Sequence, residues 1–518
     1  MKKKICHKFC SSIYPSGRKI LTLLLFFLLL IFSFTASAKV IYVPKDYTKI
    51  QLAINAATHG DEIIVSPNTY YENINFIGKN IILRSTDPTS STVVASTIIY
   101  SFPTGSAVTT FAGTEPQTCL LAGFTITYAY STRGGGINGN GTLATIQYNN
   151  ITNNAVHGSS PDGCGGGLYD CDGTIQNNTI SGNSASYYGG GLYNCNGTIQ
   201  NNQIYGNSAD WGGGLYNCGG TIQNNTISYN SALSGGGLIS CNSTIQNNTI
   251  IGNSASSNGG GLYNCDGTIQ NNTISGNSAS YYGGGLYYCD GTIQNNTISG
   301  NSASYYGGGL YDCDGTIQNN TITNNSEISN DGGGLYNCGG TIQKNKIIGN
   351  SATNYGGGLY HCIFIIQNNL IYSNKANNGG GIYDCDGVIQ NNNILENSAK
   401  ISGGGLYGCQ ASIRNCIIWG NSAPADAQIY DCFSPYYSCI KDWIGGGPGN
   451  FSADPQLQPD KVHLTASSPC IDTGFYIDDL KEDFEGNPRP FGSGFDIGAD
   501  EYIPKKTAVK HSMWILYE

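Results

Sequence analysis

Gly291-Thr-Ile-Gln-Asn-Asn-Thr-Ile-Ser-Gly-Asn-Ser-Ala-Ser-Tyr-Tyr-Gly-Gly-Gly-Leu-Tyr-Asp-Cys-Asp314 is one copy of a block that recurs every 23 to 25 residues from about Thr174 to Asn421. Its strand-like phrases, T-I-Q and G-L-Y, are too short for helices and are separated by Asn and Gly, so each copy reads as one coil of a solenoid. No coil can bury its apolar side alone. Stacking sets the same residue of every copy against its neighbours and turns sequence columns into ladders.

Working outward, one Ile column runs Ile175, Ile199, Ile222, Ile245, Ile269, Ile293, Ile317, Ile342, Ile366, Ile389, Ile413, and a second runs from Ile180 and Ile204 to Ile394 and Ile418. A third column is Leu168, Leu192, Leu215, Leu238, Leu262, Leu286, Leu310, Leu335, Leu359, Ile382 and Leu406. Three apolar columns per coil predict an all-β, single-stranded, right-handed parallel β-helix with three faces. Asn178, Asn202, Asn225, Asn248, Asn272, Asn296 and Asn320 form one polar column, and Asn183, Asn207, Asn230, Asn253, Asn277 and Asn301 a second. Asn accepts left-handed backbone angles at corners, and stacked amides can bond from coil to coil, so these columns read as structural. The N-x-T/S triplets they create are glycosylation acceptors only in a eukaryotic secretory pathway.

The 518 residues include 73 Gly, only 11% are charged, and the net charge is −10 with a pI near 5.0. No Lys or Arg stands between Arg133 and Lys344, which excludes a nucleic-acid partner for want of a basic stripe. A polar, weakly charged surface suits uncharged ligands such as glycans.

Residues 1–38 read as a signal peptide. Lys2, Lys3, Lys4, Arg18 and Lys19 precede an apolar run from Ile20 to Phe34, and Ala36-Ser37-Ala38 forms a small-residue cleavage site. The run is short for a membrane span, so none is expected once the leader is removed near Ala38. The expected organisation is then an N-terminal cap and first coils over 39–130, the repeat β-helix over 131–422, a closing module over 423–504, and a tail over 505–518. In the cap, Asp46 is placed to start a short helix whose Ile50, Ala53, Ile54 and Ala57 share a face, with the strand Glu62 to Val65 following. A helix there covers the apolar mouth and unpaired edge of the solenoid, and no other helix is expected.

The opening phrase I-Y-V-P-K-D-Y-T-K-I-Q-L-A-I-N-A-A-T-H-G-D-E-I-I-V, then S-P-N-T-Y-Y-E-N-I, G-K-N-I-I-L-R-S and Gly123-Phe-Thr-Ile126, resembles the N-terminal part of bacterial secreted proteins of the pectin-lyase-like, right-handed parallel β-helix superfamily. At the other end, A-D-P-Q-L from Ala453, H-L-T-A-S-S-P-C-I-D-T-G from His463, G-N-P-R-P and D-I-G-A-D-E-Y from Asp496 are similar to the C-terminal region of bacterial surface β-helix proteins of the choice-of-anchor Q type. The resemblance implies a secreted or cell-surface protein. In such relatives the closing module often precedes a surface-sorting tail, whereas only Ile503 to Glu518 follows here.

Eleven of the nineteen cysteines share one column: Cys171, Cys195, Cys218, Cys241, Cys265, Cys289, Cys313, Cys338, Cys362, Cys385 and Cys409. The expectation is a ladder of small buried thiols, with a run of disulfides as the alternative. Cys432, Cys439 and Cys470 leave room for one disulfide with no pair singled out. No metal site and no cofactor are expected, because a ladder spreads ligands along a line instead of converging them on a point.

The superfamily resemblance implies polysaccharide lyase or glycoside hydrolase as the enzymatic alternative. Candidate carboxylates repeat as D-C-D at Asp170/Asp172, Asp312/Asp314 and Asp384/Asp386. The first two pairs have no basic residue near them in sequence for proton abstraction, and the motif drifts to N-C-D and N-C-G as corner residues do. No catalytic residue is therefore assigned.

Binding has more support. Just before the Gly triplets stand Tyr188, Trp211, Tyr282, Tyr306 and Tyr355, with Tyr187, Tyr281 and Tyr305 preceding three of them. A continuous column, Tyr169, Tyr193, Tyr216, Tyr263, Tyr287, Tyr311, Tyr336, Tyr360, Tyr383 and Tyr407, should face outward beside the inward Leu. Tyr offers a flat apolar face and a polar end for stacking on sugars. The continuous column is read as a sheet-stabilising ladder, and the loop column as the candidate glycan-stacking site, with Tyr282 and Tyr306 dispensable for stability. The reading is adhesion or extracellular-glycan binding without catalysis, the partner being an extracellular polysaccharide or a host or neighbour cell surface. The second alternative is a passive surface rod.

Overall fold

The computed structural model describes residues 37–158 and 162–504. The leader up to residue 36 and the tail expected at 505–518 lie outside the described residues. From Val40 onward the chain winds as a parallel β-helix whose sheets contain sixteen T-I-Q-type strands, sixteen T-I-S-type strands and fifteen L-Y-type strands.

One coil shows why the block folds this way. Thr292–Gln294 forms a strand, Asn295 turns the corner at φ +56°, and Thr297–Ser299 forms the next strand. Gly300 turns again at φ +61°, and the short strand Ser302–Ala303 follows. The triplet from Gly307 then leads into Leu310–Tyr311. In register, Ile293 pairs Ile317 and Leu286 pairs Leu310 on successive coils. Both Ile columns and the Leu column are buried in one continuous core. Burying an Ile or Leu side chain contributes about 1.5–3 kcal/mol, repeated at three positions in every coil. The Gly triplet is required where backbones crowd: a Cβ on Gly308 would lie 2.4 Å from the Ser326 carbonyl oxygen, and one on Gly309 2.5 Å from that of Gly334.

The structure differs from the three-faced expectation by a fourth, narrow face. Its S-A strands form a nine-stranded sheet up to Ser326–Glu327 and a two-stranded pair, Lys375–Asn378 with Ser398–Ser402. Ala185, Ala255, Ala279 and Ala303 are buried there. Ala is too small and too common on surfaces to announce a core column.

The Asn columns stack as expected, but the left-handed angles fall one residue earlier. Asn177, Asn201, Asn224, Asn271 and Asn295 have φ near +55°, while the buried Asn178, Asn202, Asn225, Asn272 and Asn296 that follow are the ones that bond from coil to coil. Outside the coils, Gln176, Gln200, Gln223, Gln246 and Gln270 make a matching amide ladder at 2.7–2.9 Å.

Helix α1, Ile50–Ala56, buries Ile50, Ala53 and Ile54 at the start of the core. Asp46 does not cap it, because its carboxylate accepts instead from the Tyr42 backbone N–H at 2.8 Å. Lys49 occupies the N-cap position without a side-chain bond, and the Glu72 carboxylate accepts from Ile50 N and Gln51 N at 2.8 and 3.1 Å. The negative charge sits where the helix dipole favours it. A second helix, α2, Ser91–Ser96, departs from the expectation of one helix, and Ser90 caps it through Val93 N.

Strand pairing continues past residue 422 to Cys439–Ile440, which pairs with Ile417–Ile418. The remaining segment folds back along the outer side of the last coils. Leu370, Leu395 and Ile417 stand at outward positions that mostly hold Thr or Ser in earlier coils, and pack with Val462, Leu464, Cys470 and Ile497. Asn393 ties the two together, donating to Lys461 O and Val462 O and accepting from Ala499 N. The D-I-G-A-D-E-Y phrase has a local cause: Glu501 meets the buried Arg489 guanidinium at 2.7 Å, and Arg489 also donates to Asp496 O and Gly498 O. Such a pair tolerates burial because both terminal nitrogens of the guanidinium find acceptors, leaving only Nε without a partner among the described residues.

Candidate functional site

Inward Leu and outward Tyr alternate on the L-Y strands, so the tyrosine rings stack along one face. Centroids are 5.2 Å apart from Tyr169 to Tyr193 and 5.6 Å from Tyr193 to Tyr216. After Ile239 interrupts, the stack resumes at Tyr263 and runs through Tyr287, Tyr311, Tyr336, Tyr360, Tyr383 and Tyr407 to Tyr430 with spacings of 4.7–5.3 Å. Tyr430 extends the ladder one coil beyond its expected end.

The loop column lies on this ladder. Each loop ring reaches over the ladder tyrosine of the next coil: Tyr188 to Tyr216 at 4.5 Å, Tyr282 to Tyr311 at 5.0 Å, Tyr306 to Tyr336 at 4.7 Å, Tyr355 to Tyr383 at 4.6 Å. Tyr282 and Tyr306 also stack on each other at 5.6 Å. Trp211 pairs in register with Tyr188 and Ser234, and the ladder position one coil on from it is the buried Ile239. All five residues therefore fall on one side of the solenoid, and four of them form a second aromatic row. Tyr188, Trp211, Tyr282 and Tyr306 are half-buried, and Tyr355 is exposed. Half-burial under ring contacts gives these side chains a packing role in addition to any ligand.

The residues one position earlier are freer. Tyr281 and Tyr305 are 46% and 43% exposed and stack at 5.4 Å, presenting two adjacent rings to solvent. Their doublet with the following Tyr was the available sequence signal. Beside them, Asp331 and Glu327 interrupt the aromatic and alanine columns. Asp331 follows Tyr306 and precedes Tyr355 in register. It is buried, its Oδ1 has no hydrogen-bond partner, and burial pushes its pKa up to about 6. Glu327, also buried and raised by burial, accepts from Ser329 N, Asn330 N and Thr353 N.

The D-C-D carboxylates are committed to corners. Asp170 and Asp312 accept from the Asn194 and Asn337 amides at 2.8 Å, and Asp384 meets His361 Nδ1 at 3.1 Å. Asp172, Asp314 and Asp386 each accept from a backbone N–H of the following coil. Groups holding the scaffold in this way are not gathered around a common reacting point.

The cysteine ladder from Cys171 to Cys409 is buried and its members are unbridged thiols, with Cys432 as a further rung whose Sγ accepts from Cys409 N. Burial pushes two core thiols outside this ladder, Cys119 and Cys416, up to about 12. Among the described residues no helix is long and apolar enough to cross a membrane.

Residues 133–292 match the family described as "Right handed beta helix region". Among solved structures, the chain is similar to the crystal structure of pectate lyase Pel9A at 14% identity, covering 89% of this chain and 96% of that one with a TM-score of 0.21. No curated protein matches the chain. The stacked columns, their parallel register and the match over residues 133–292 together make this chain an all-β solenoid with the right-handed parallel β-helix fold.

Proposed function

We propose that this chain is a secreted or cell-surface β-helix that binds extracellular polysaccharide, or a glycan-bearing cell surface, through its aromatic face and without turning it over. The observation that carries this reading is the double aromatic row, in which Tyr282 and Tyr306 lie on the ladder and the exposed pair Tyr281 and Tyr305 stands beside them. Stacked, partly exposed rings repeated at coil spacing offer a chain of sugars several equivalent platforms, and stacking on each is worth about 1–3 kcal/mol by analogy with other aromatic platforms. Secretion rests on the leader over 1–38, whose removal near Ala38 is read by N-terminal sequencing of the exported protein.

A second reading, glycoside hydrolysis, is favoured by Asp331 and Glu327, two buried carboxylates with raised pKa beside the same rings. A carboxyl still protonated near pH 6 is what a general acid requires. One experiment separates the readings: the chain is applied to a glycan array, and each hit is then assayed for new reducing ends and unsaturated products. Binding without products supports the first reading, products support the second, and absence of any hit leaves a passive rod.

A further inference from the structure

Three loops outside the repeat bring His463, Glu485 and Asp500 together, one potential ligand atom from each lying within 4.8 Å of the others. Nothing periodic in the sequence links these residues, and none belongs to the aromatic face. His463 Nδ1 faces Asp460 Oδ2 at 2.6 Å, and Nε2 faces Glu485 Oε1 at 3.2 Å. If Nδ1 carries the proton toward Asp460, Nε2 turns a lone pair toward a carboxylate oxygen. Two acceptors at that distance require a proton or a cation between them.

Asp500 sharpens the requirement. It is 4% exposed, its Oδ2 accepts from Leu464 N at 2.9 Å, and among the described residues no donor reaches its other oxygen. The nearby basic side chains are committed elsewhere, Lys461 to Glu396 at 2.8 Å and Arg489 to Glu501 at 2.7 Å. A buried carboxylate is costly without a full counter-charge, and here one imidazole, His463, is shared between Asp500, Glu485 and Asp460. A groove lined by Gln458, His463, Asp500 and Tyr502 gives an ion access from solvent.

We propose that His463, Glu485 and Asp500 bind a divalent transition-metal cation, with Asp460 as the positioning residue that fixes the imidazole. One nitrogen and two carboxylate oxygens suit Zn²⁺, whereas Ca²⁺ takes six to eight oxygens. Zinc bonds of about 2.0–2.2 Å keep ligand atoms within about 4.4 Å of one another, so a small contraction of the three loops closes the site. The carboxylate behind the imidazole is the usual device for holding a histidine ligand in one tautomer. The ion would tie loops at 460–464, 485 and 500 together, and so fasten the C-terminal segment against the coils it covers.

The test is calorimetric titration of the purified chain with Zn²⁺ and, separately, Ca²⁺ at pH 7.5, with melting curves in Zn²⁺ and in chelator. The expected result is one Zn²⁺ per chain, no Ca²⁺ binding at the same concentrations, and a higher melting temperature with Zn²⁺. His463→Ala and Glu485→Gln should each abolish that binding, and Asp460→Asn should weaken it about 10- to 100-fold. Glu485 is exposed, so its neutral variant is expected to fold even if His463→Ala does not. Absence of Zn²⁺ binding overturns the proposal and makes a proton on His463 the only bridge between Asp460 and Glu485. Binding that persists unchanged in Glu485→Gln overturns it too, and points to the cysteine thiols.

Discussion

The backbone N–H and the side-chain amide of Asn296 donate to the same atom, Oδ1 of Asn320, at 2.9 and 3.1 Å. The amide also donates back to Ile269 O at 2.8 Å, and Asn296 Oδ1 accepts the same two bonds from Asn272. One side chain thus satisfies a corner on three coils. Asn296→Ala takes the acceptor from the Asn272 backbone N–H, one of two acceptors from the Asn272 amide and a donor from the Ile269 carbonyl, at about 1–3 kcal/mol for each group left unsatisfied. A loss of about 3 kcal/mol or more is expected in denaturant unfolding. Asn295→Ala places an L-residue without a polar side chain at φ +56° and should cost only about 1–2 kcal/mol.

The thiol ladder should be silent in the native state. Cys265, Cys289 and Cys313 are buried, and burial disfavours the thiolate that alkylating agents attack. Iodoacetamide is expected to label them only in denaturant, and peptide mapping to find them unbridged. A Cys265 to Cys289 disulfide in the folded protein would show the ladder to be oxidised.

Asp331 predicts a pH dependence. Burial raises its pKa from 3.8 to about 6, with the Tyr355 backbone N–H offsetting part of the rise. A folded-state pKa above the unfolded value means stability that is complete below about pH 4 and is lost as pH rises through about 6. Asp331→Asn should remove about 2–3 kcal/mol of that loss, seen as a melting temperature above that of the parent at pH 7.5 and near it at pH 4.

Tyr282 and Tyr306 carry structural weight as well. Each stacks on a ladder ring of the next coil and on the other, so Tyr282→Ala with Tyr306→Ala should cost about 1–3 kcal/mol in thermal unfolding. The sequence reading expected no such cost. Tyr281→Ala with Tyr305→Ala removes two exposed rings whose contacts are their mutual stack and a looser tilted approach of Tyr281 to Tyr282 at 6.1 Å, and should leave the melting temperature nearly unchanged.

What the sequence displayed was whatever repeats at coil spacing. Ile293, Leu310, Asn296 and Tyr311 each recur at a fixed offset, and stacking in register gives every copy the same environment. Contacts that break the period were hidden. Glu72 caps α1 from 22 residues away, a carboxylate with no motif around it. The reach of Tyr282 to Tyr311 depends on how a loop leans across coils, which no column discloses. His463, Glu485 and Asp500 meet only because irregular loops fold back over coils whose outward Leu370, Leu395 and Ile417 give them something to pack on.

The most direct measurement is the affinity of the chain for a glycan identified on the array, compared with that of Tyr281→Ala/Tyr305→Ala at equal stability. The account predicts a loss of about ten-fold or more, the equivalent of about 1.4 kcal/mol or more, with melting temperatures that coincide. Unchanged affinity in that variant, and again in Tyr282→Ala/Tyr306→Ala, would contradict the assignment of binding to the aromatic face.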